Sequence, residues 1–343
     1  MNTEQEHNLS KPGIVLEEFV FTEASFPSCH ASTILELTTG EFLCGFFGGT
    51  KESHPDVEIR LSHKTPGGEW TPPVSVADGV QSGNERLSTG NPILFQPAVG
   101  DIMLFYKVFR PKVPWWGEMK TSRDGGKTWS KAQIITGGLI GPDKNKPIQL
   151  NDSTILAPSA IEDSNGWRVH IERSADNGKT WTKIGPINPD AKIGAIQPTL
   201  LTYPDGKIQL LCRTWSEHGF IAQSWSKDGG LTWSPLAASV LPNNNSGIDG
   251  VTLRDGRQLL VYNHSTRTQP GMGHKGRGIL NVALSCDGLA WEAALILDYL
   301  DESEKQFSYP AVIQTRDGLV HIVYTWHRKR IKHVVLDPEK LQT

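Results

Sequence analysis

Short segments in which apolar and polar residues alternate run the length of the chain. Examples are residues 167–173, where Trp167, Val169 and Ile171 face one way and the residues between them the other, and the segments 14–21, 319–326 and 331–336. A period of two is the signature of a half-buried strand. Glycine-centred turns punctuate these segments: Thr39-Gly40, Pro204-Asp205-Gly206, Arg254-Asp255-Gly256 and Arg316-Asp317-Gly318. No stretch keeps a helical repeat over three turns, so the pattern predicts an all-β chain of many short strands.

One phrase recurs after every second or third strand. It reads Ser122-Arg-Asp124-Gly125-Gly126-Lys-Thr-Trp129, then Ser174-Ala-Asp176-Asn-Gly178-Lys-Thr-Trp181, then Ser226-Lys-Asp228-Gly229-Gly230-Leu-Thr-Trp233, with the serines 52 residues apart (122 to 174 to 226). A clipped copy, Ser285-Cys-Asp287-Gly288-Leu-Ala-Trp291, follows, and a worn one, Ser62 to Trp70, precedes. A repeat of about 50 residues identifies an array of similar units. Within the phrase, Asp-Gly-Gly and Asp-Asn-Gly are turn signals, and the tryptophan is expected to pack between neighbouring sheets. Each copy has a single fixed acidic residue, too few oxygens for a calcium loop.

Ser-x-Asp-x-Gly-x-x-Trp resembles the Asp box of the sialidase superfamily, where the box lies on the outer rim, away from the active site. Five box positions and a closing C-terminal blade imply a six-bladed β-propeller of four-stranded antiparallel blades, with the strand at 14–21 completing the last blade. A closed ring leaves no open strand edges. The expected organisation is a loose tail over residues 1–12 and a single propeller domain over 13–343.

Composition agrees with many strands and tight turns: 37% hydrophobic residues, 34 glycines, 22 prolines and 11 tryptophans. The formal net charge of −3 gives no basis for binding nucleic acid or an anionic membrane. No apolar run reaches the roughly 18 residues of a membrane helix. The polar, acidic start is unlike a signal peptide, so a cytoplasmic location is expected. Cys29, Cys44, Cys212 and Cys286 have no metal-ligand spacing and are expected as buried thiols. Neither a phosphate-binding glycine loop nor a paired-histidine helix is present, so no metal, nucleotide or redox cofactor is implied.

In a propeller the heads of the inner strands converge over the central channel, and their polar residues are the candidates for chemistry. The sialidase resemblance can be carried onto them position by position. Tyr309, followed by Asp317-Gly318, resembles the family's nucleophilic tyrosine, and Arg213 and Arg277 resemble two of its three carboxylate-binding arginines. Gln197 stands where the tyrosine-activating glutamate is expected, and His30 where the first arginine is expected. Glu52 and Asp56 are the alternatives for the acid. Lys144, Lys146 and Asn245 lie in polar segments that add substrate-binding candidates, and Trp115-Trp116 is either a sugar-stacking platform or inter-blade packing.

A glutamine cannot take a proton from a phenol whose ordinary pKa is about 10. The remaining arginines suit a carboxylate, so the expected partner is an acidic carbohydrate, sialate- or uronate-like. Three readings stand: an exo-acting glycoside hydrolase, a polysaccharide lyase acting beside a uronate, and a non-catalytic glycan- or protein-binding propeller.

Overall fold

The computed structural model describes residues 11–301 and 305–341, so residues 1–10 of the expected tail lie outside the described residues. Strand β1 (Ile14–Phe19) comes first. Blade one follows with β2 (Ser28–Glu36), β3 (Phe42–Gly49), β4 (Glu58–Lys64) and β5 (Val74–Ala77), and blade two with β6 (Ser88–Phe95), β7 (Ile102–Phe109), β8 (Trp116–Ser122) and β9 (Gln133–Ile134). Blade three has β10 (Ile148–Gln149), β11 (Ile155–Asp163), β12 (Gly166–Ser174) and β13 (Thr182–Ile184). Blade four has β14 (Ala195–Thr202), β15 (Ile208–Thr214), β16 (Phe220–Ser226) and β17 (Ala237–Pro242). Blade five has β18 (Asp249–Thr252), β19 (Gln258–Tyr262), β20 (Ile279–Ser285) and β21 (Glu292–Tyr299). Blade six is built from β22 (Phe307–Gln314), β23 (Val320–Trp326) and β24 (Arg330–Leu336), and β1 is its outermost strand.

The six sheets are four-stranded and antiparallel, as the repeat implies. Closure is non-local: β1 pairs with β24 from Ile14–Leu336 to Phe19–Lys332, so the first strand is stitched to the last. The apolar face of each blade packs on the next. Leu43, Ile59 and Leu61 of blade one meet Leu94, Leu104 and Tyr106 of blade two, and Leu156, Val169 and Ile171 of blade three meet Leu200, Leu210 and Cys212 of blade four. Three of the four cysteines are buried in these layers, but Cys286 is exposed. It fills the free second position of the clipped box, where the side chain points away from the box's own hydrogen bonds.

The Asp boxes are staples built to one pattern. In each of the four, the serine hydroxyl donates to the aspartate and accepts the amide of a glycine, and the tryptophan indole donates to that glycine's carbonyl at 3.0 Å. In the three full copies the threonine also binds the aspartate through its amide and its hydroxyl. These bonds hold Asp124, Asp176 and Asp228 down to about 2. The worn copy has lost the device: Ser62 Oγ is buried without a partner, and the Trp70 indole donates instead to Glu18 of β1 at 2.9 Å. The box serines end β8, β12, β16 and β20, opposite the first residues of each second strand, and so lie on the far face from the heads of the inner strands.

The box glycine is also the spacer between blades. At Gly230, φ is +85° and a Cβ would sit 2.7 Å from Leu156 of blade three; at Gly229, φ is +70° and the nearest atom would be Leu150 at 3.9 Å. Gly230→Ala therefore adds overpacking of about 1–3 kcal/mol to the left-handed backbone penalty, while Gly229→Ala carries only the penalty, about 1–2 kcal/mol. Denaturant unfolding of the two variants checks the ordering.

Candidate active site

One backbone device aims the side chains of the inner strands into the channel. In β2, β6, β14 and β22 the pairing register slips at the same place, and the residue at the slip takes left-handed angles: Ala31 (φ +55°), Asn91 (+44°), Gln197 (+54°) and Tyr309 (+56°). Proline follows three of them, which suits a bulge because proline has no amide to give the ladder. A side chain larger than glycine pays about 1–2 kcal/mol for this conformation, and such strain concentrates where chemistry is done.

Tyr309 is the centre of the resulting cluster. Its hydroxyl oxygen accepts from Arg213 NH1 and, at 3.2 Å, from Gln197 Nε2. Arg213 NH1 also donates to Gln197 Oε1 at 2.9 Å, and Arg213 Nε to Asn245 Oδ1 at 2.6 Å. Arg277 donates to the Asn245 carbonyl at 3.0 Å and to Gln306 at 3.3 Å, so Asn245 ties the two arginines together. Both guanidiniums lie over the Tyr309 ring, at 5.7 and 5.6 Å from its centre. Gly247 makes room for the convergence, since a Cβ there would meet Gln197, Lys144 and Tyr309 within 3.4 Å.

His30 lies against the same ring, 4.1 Å between centres and tilted by 46°, with Nδ1 hydrogen-bonded to Thr325 Oγ1 at 2.9 Å and Nε2 buried without a partner. Burial, then the charges of Arg328, Arg277, Arg213 and Lys144, push its pKa well below the ordinary imidazole value, so it is neutral at pH 7. Arg277, only 9% exposed, falls to about 10 through burial.

Lys144 and Lys146 reach across the channel. Lys144 donates to Asn145 Oδ1 at 2.9 Å, to the Ile248 carbonyl at 3.1 Å and to the Pro310 carbonyl. Lys146 pairs with Asp249 at 2.9 Å, and Asp249 in turn accepts from Thr199 and from the Val312 amide. The two lysines thus tie blade three to blades five and six, and Asn145 between them ties it to blade four through the Gln197 and Pro198 carbonyls.

The two loop carboxylates have separate fates. Glu52 is exposed and pairs with Arg328 at 2.8 Å on the wall of a hollow shared with Asn91 and Trp115. Asp56 is held within its own loop by the Thr50 amide and hydroxyl and by His54, and is lowered to about 2. Sequence reasoning missed Arg328, on the β23–β24 turn, whose carbonyl accepts the Cys29 amide at 2.8 Å and whose charge is felt by His30 and Arg277. It missed Glu162 as well. That residue lies opposite Trp167 in the β11–β12 register, and Trp167 carries the Arg213 guanidinium 5.4 Å from its ring centre. Neither residue stands at the head of an inner strand, where the search was concentrated. Among the described residues no group of three or more His, Cys, Asp or Glu is arranged to hold a metal ion.

The BNR repeat-like domain profile matches residues 40–322. The chain belongs to this sialidase-like family. Among curated proteins it is similar to a sialidase of Micromonospora viridifaciens, 24% identical over 305 residues that span 80% of this chain and 43% of that protein. A sialidase of Bacteroides fragilis (strain YCH46) is 27% identical over 195 residues, 52% of this chain and 34% of that one. The chain thus spans less than half the length of either relative. Among solved structures, a protein of unknown function from Dyadobacter fermentans superposes with a TM-score of 0.79 at 18% identity, covering 97% of this chain and all of that one. The leech intramolecular trans-sialidase, complexed with 2,7-anhydro-Neu5Ac, superposes with a TM-score of 0.73 at 15% identity, covering 98% and 71%. At these identities the superpositions establish a shared fold.

Burial lowers Lys144 to about 7, against about 10.4 in an unfolded chain. The unfolded state therefore holds the extra proton between these values, and folding stability attributable to Lys144 rises with pH from about 7 to about 10, by up to about 1.4 kcal/mol per pH unit, and is flat below 7. Subtracting the stability curve of Lys144→Met from that of the native sialidase-like chain should show this slope.

Proposed function

We propose that this sialidase-like protein is an exo-acting glycoside hydrolase that removes a terminal acidic sugar, sialate- or uronate-like, from a glycan. The observation that carries the reading is the pair of guanidiniums on Tyr309: Arg213 and Arg277 lie over its ring from two blades and share Asn245, and among the described residues neither makes an ion pair. Two guanidiniums joined through Asn245 suit a carboxylate, which accepts paired N–H donors.

Tyr309 is the proposed nucleophile. Its oxygen accepts two N–H donors, a setting that stabilises negative charge as the phenol proton leaves to solvent; Gln197 orients the oxygen and does not take the proton. The oxygen bonds the anomeric carbon, the leaving-group oxygen departs with a proton, and water then releases the sugar and restores the phenol.

Elimination beside a uronate is a second reading, favoured by neutral His30 with its free Nε2 against Tyr309. A base would take the C5 proton, the C4–O bond would break with its electrons on oxygen, and the product would carry a C4=C5 double bond. Incubation with sialyllactose and with uronate oligosaccharides separates the two: free acidic sugar marks hydrolysis, an ultraviolet-absorbing product marks elimination. Arg213→Ala and Tyr309→Phe are each expected to lower kcat/KM by about 100-fold or more. Glycan binding retained in both variants, with no product from any substrate, would identify a binding platform instead.

A further inference from the structure

The inner strand of blade three is cut short. β10 pairs with β11 only at Ile148–Leu156 and Gln149–Ile155, although β11 continues to Asp163. Above that point residues 136–147 leave the regular ladder and return to β11 where the Asp143 amide donates to the Pro158 carbonyl at 3.1 Å and the Ser159 hydroxyl to the Gly141 carbonyl at 2.7 Å. The loop is pinned by Glu172, which accepts the amides of Ile140 and Gly141 at 2.8 and 2.9 Å, and by Lys107, which donates to both carbonyls. The missing half-strand leaves a cleft of about 270 Å³ between blades two and three, walled by Lys107, Trp115, Trp116, Leu139, Asp143 and Glu162.

The cleft opens onto the central site. Asp143 accepts the Gln197 amide at 3.1 Å, and Lys107 and Trp115 also border the hollow of Glu52 and Asn91. Trp115 is 41% exposed and braced edge-on by Phe109, 5.7 Å between ring centres. Among the described residues no hydrogen bond or ion pair engages the Glu162 carboxylate. Glu162 is exposed at the rim of the cleft; desolvation on its protein side, then the charge of Asp143, raise its pKa to about 7 against the pull of Arg213. An aromatic face beside two carboxylates and one buried amine suits an uncharged, hydroxyl-rich ring.

We propose that this cleft is the subsite for the leaving-group sugar, a neutral hexose stacked on Trp115, and that Glu162 protonates the glycosidic oxygen. The inference rests on the hydrolytic reading above. As the bond from the anomeric carbon breaks, its electron pair stays on the oxygen, which takes the Glu162 proton; the hydrolytic water reprotonates Tyr309, and the carboxylate regains from solvent the proton that Tyr309 released there on attack. Asp56, spent within its loop, and Glu52, facing Arg328, leave this role open.

The test compares leaving groups. A 4-nitrophenyl α-sialoside or β-glucuronide needs no proton to depart, whereas sialyllactose or a glucuronyl hexose does. Glu162→Gln should lower kcat on the sugar-linked substrate by about 100-fold or more, but on the aryl glycoside by less than about tenfold. It should also remove the basic limb of the pH profile near 7. The charged groups facing Glu162 are Asp143, Arg213 and Lys107, with the Arg168–Asp163 pair beside it on the strand edge. Trp115→Ala should raise KM for the sugar-linked substrate about tenfold and more than for the aryl one. Equal losses on both substrates, or an unchanged basic limb, overturn the role of Glu162. If the wild type cleaves no acidic glycoside, the hydrolytic reading fails, and titration with lactose still judges the cleft. A tryptophan-fluorescence change in the wild type that is absent from Trp115→Ala supports a sugar site there, and no change in the wild type overturns it.

Discussion

Two lysines from one shortened strand hold the middle of this propeller together. Blade three has only two residues of regular inner strand, so it cannot line the channel with a ladder as its neighbours do. It sends in Lys144 and Lys146 instead, whose ammonium groups meet carbonyls and a carboxylate from blades five and six. Burying an ammonium is expensive, and Lys144 carries that cost even with three acceptors, its pKa being lowered to about 7 by burial. The consequence is positional: the floor on which Tyr309, Gln197 and Asn245 rest is fixed by polar bonds across the ring, while the apolar layers fix only neighbouring blades. Lys144 and Lys146, expected as substrate-binding residues, donate to carbonyls and a carboxylate of neighbouring blades.

The same shortening shapes the surface above. A full inner strand would cover the edge of β11 as far as Asp163; its absence exposes the cleft and leaves Glu162 at the lip. In blades one, two, four and six the inner strands run eight or nine residues and use left-handed residues at register slips to turn side chains inward, while β18 of blade five has four residues and no slip. Truncation in one blade and bulges in four are two solutions to one problem, bringing bulky polar groups to an axis where regular pleating would place only alternate side chains.

Much of this was legible in the sequence, because the fold rests on local rules repeated many times. The Ser-x-Asp-x-Gly-x-x-Trp copies gave blade number and spacing, and their hydrogen bonds are all within eight residues. Tyr309, Gln197, Arg213 and Arg277 were findable because they head strands in register with those boxes, and the Asn-Pro, Gln-Pro and Tyr-Pro pairs at 91, 197 and 309 mark the bulges once their shared conformation is known. Arg328 and Glu162 were not legible. One sits in a tight turn of basic residues and the other in an ordinary exposed hairpin end, and only ring closure and the missing half-strand give either of them a neighbour. Nor were the short-range bonds of Asp56 legible, although Thr50 and His54, which make them, are within six residues of it.

The replacement of glutamate by glutamine at 197 follows the electrostatics of the site. A carboxylate there would pair with Arg213 and neutralise part of the cationic hollow; the amide bridges Arg213 and Tyr309 while leaving that charge intact. With His30 in place of a further cation, repulsion among Arg213, Arg277 and Arg328 is eased at a buried position where no water can screen it. Arg328 is paired with Glu52, but among the described residues Arg213 and Arg277 make no ion pair; their hydrogen-bond partners are the amides of Gln197, Asn245 and Gln306 and the Tyr309 hydroxyl. A scaffold selected for stability alone would gain by pairing these two guanidiniums with carboxylates, and the proposed acidic ligand rests on their being left to neutral partners.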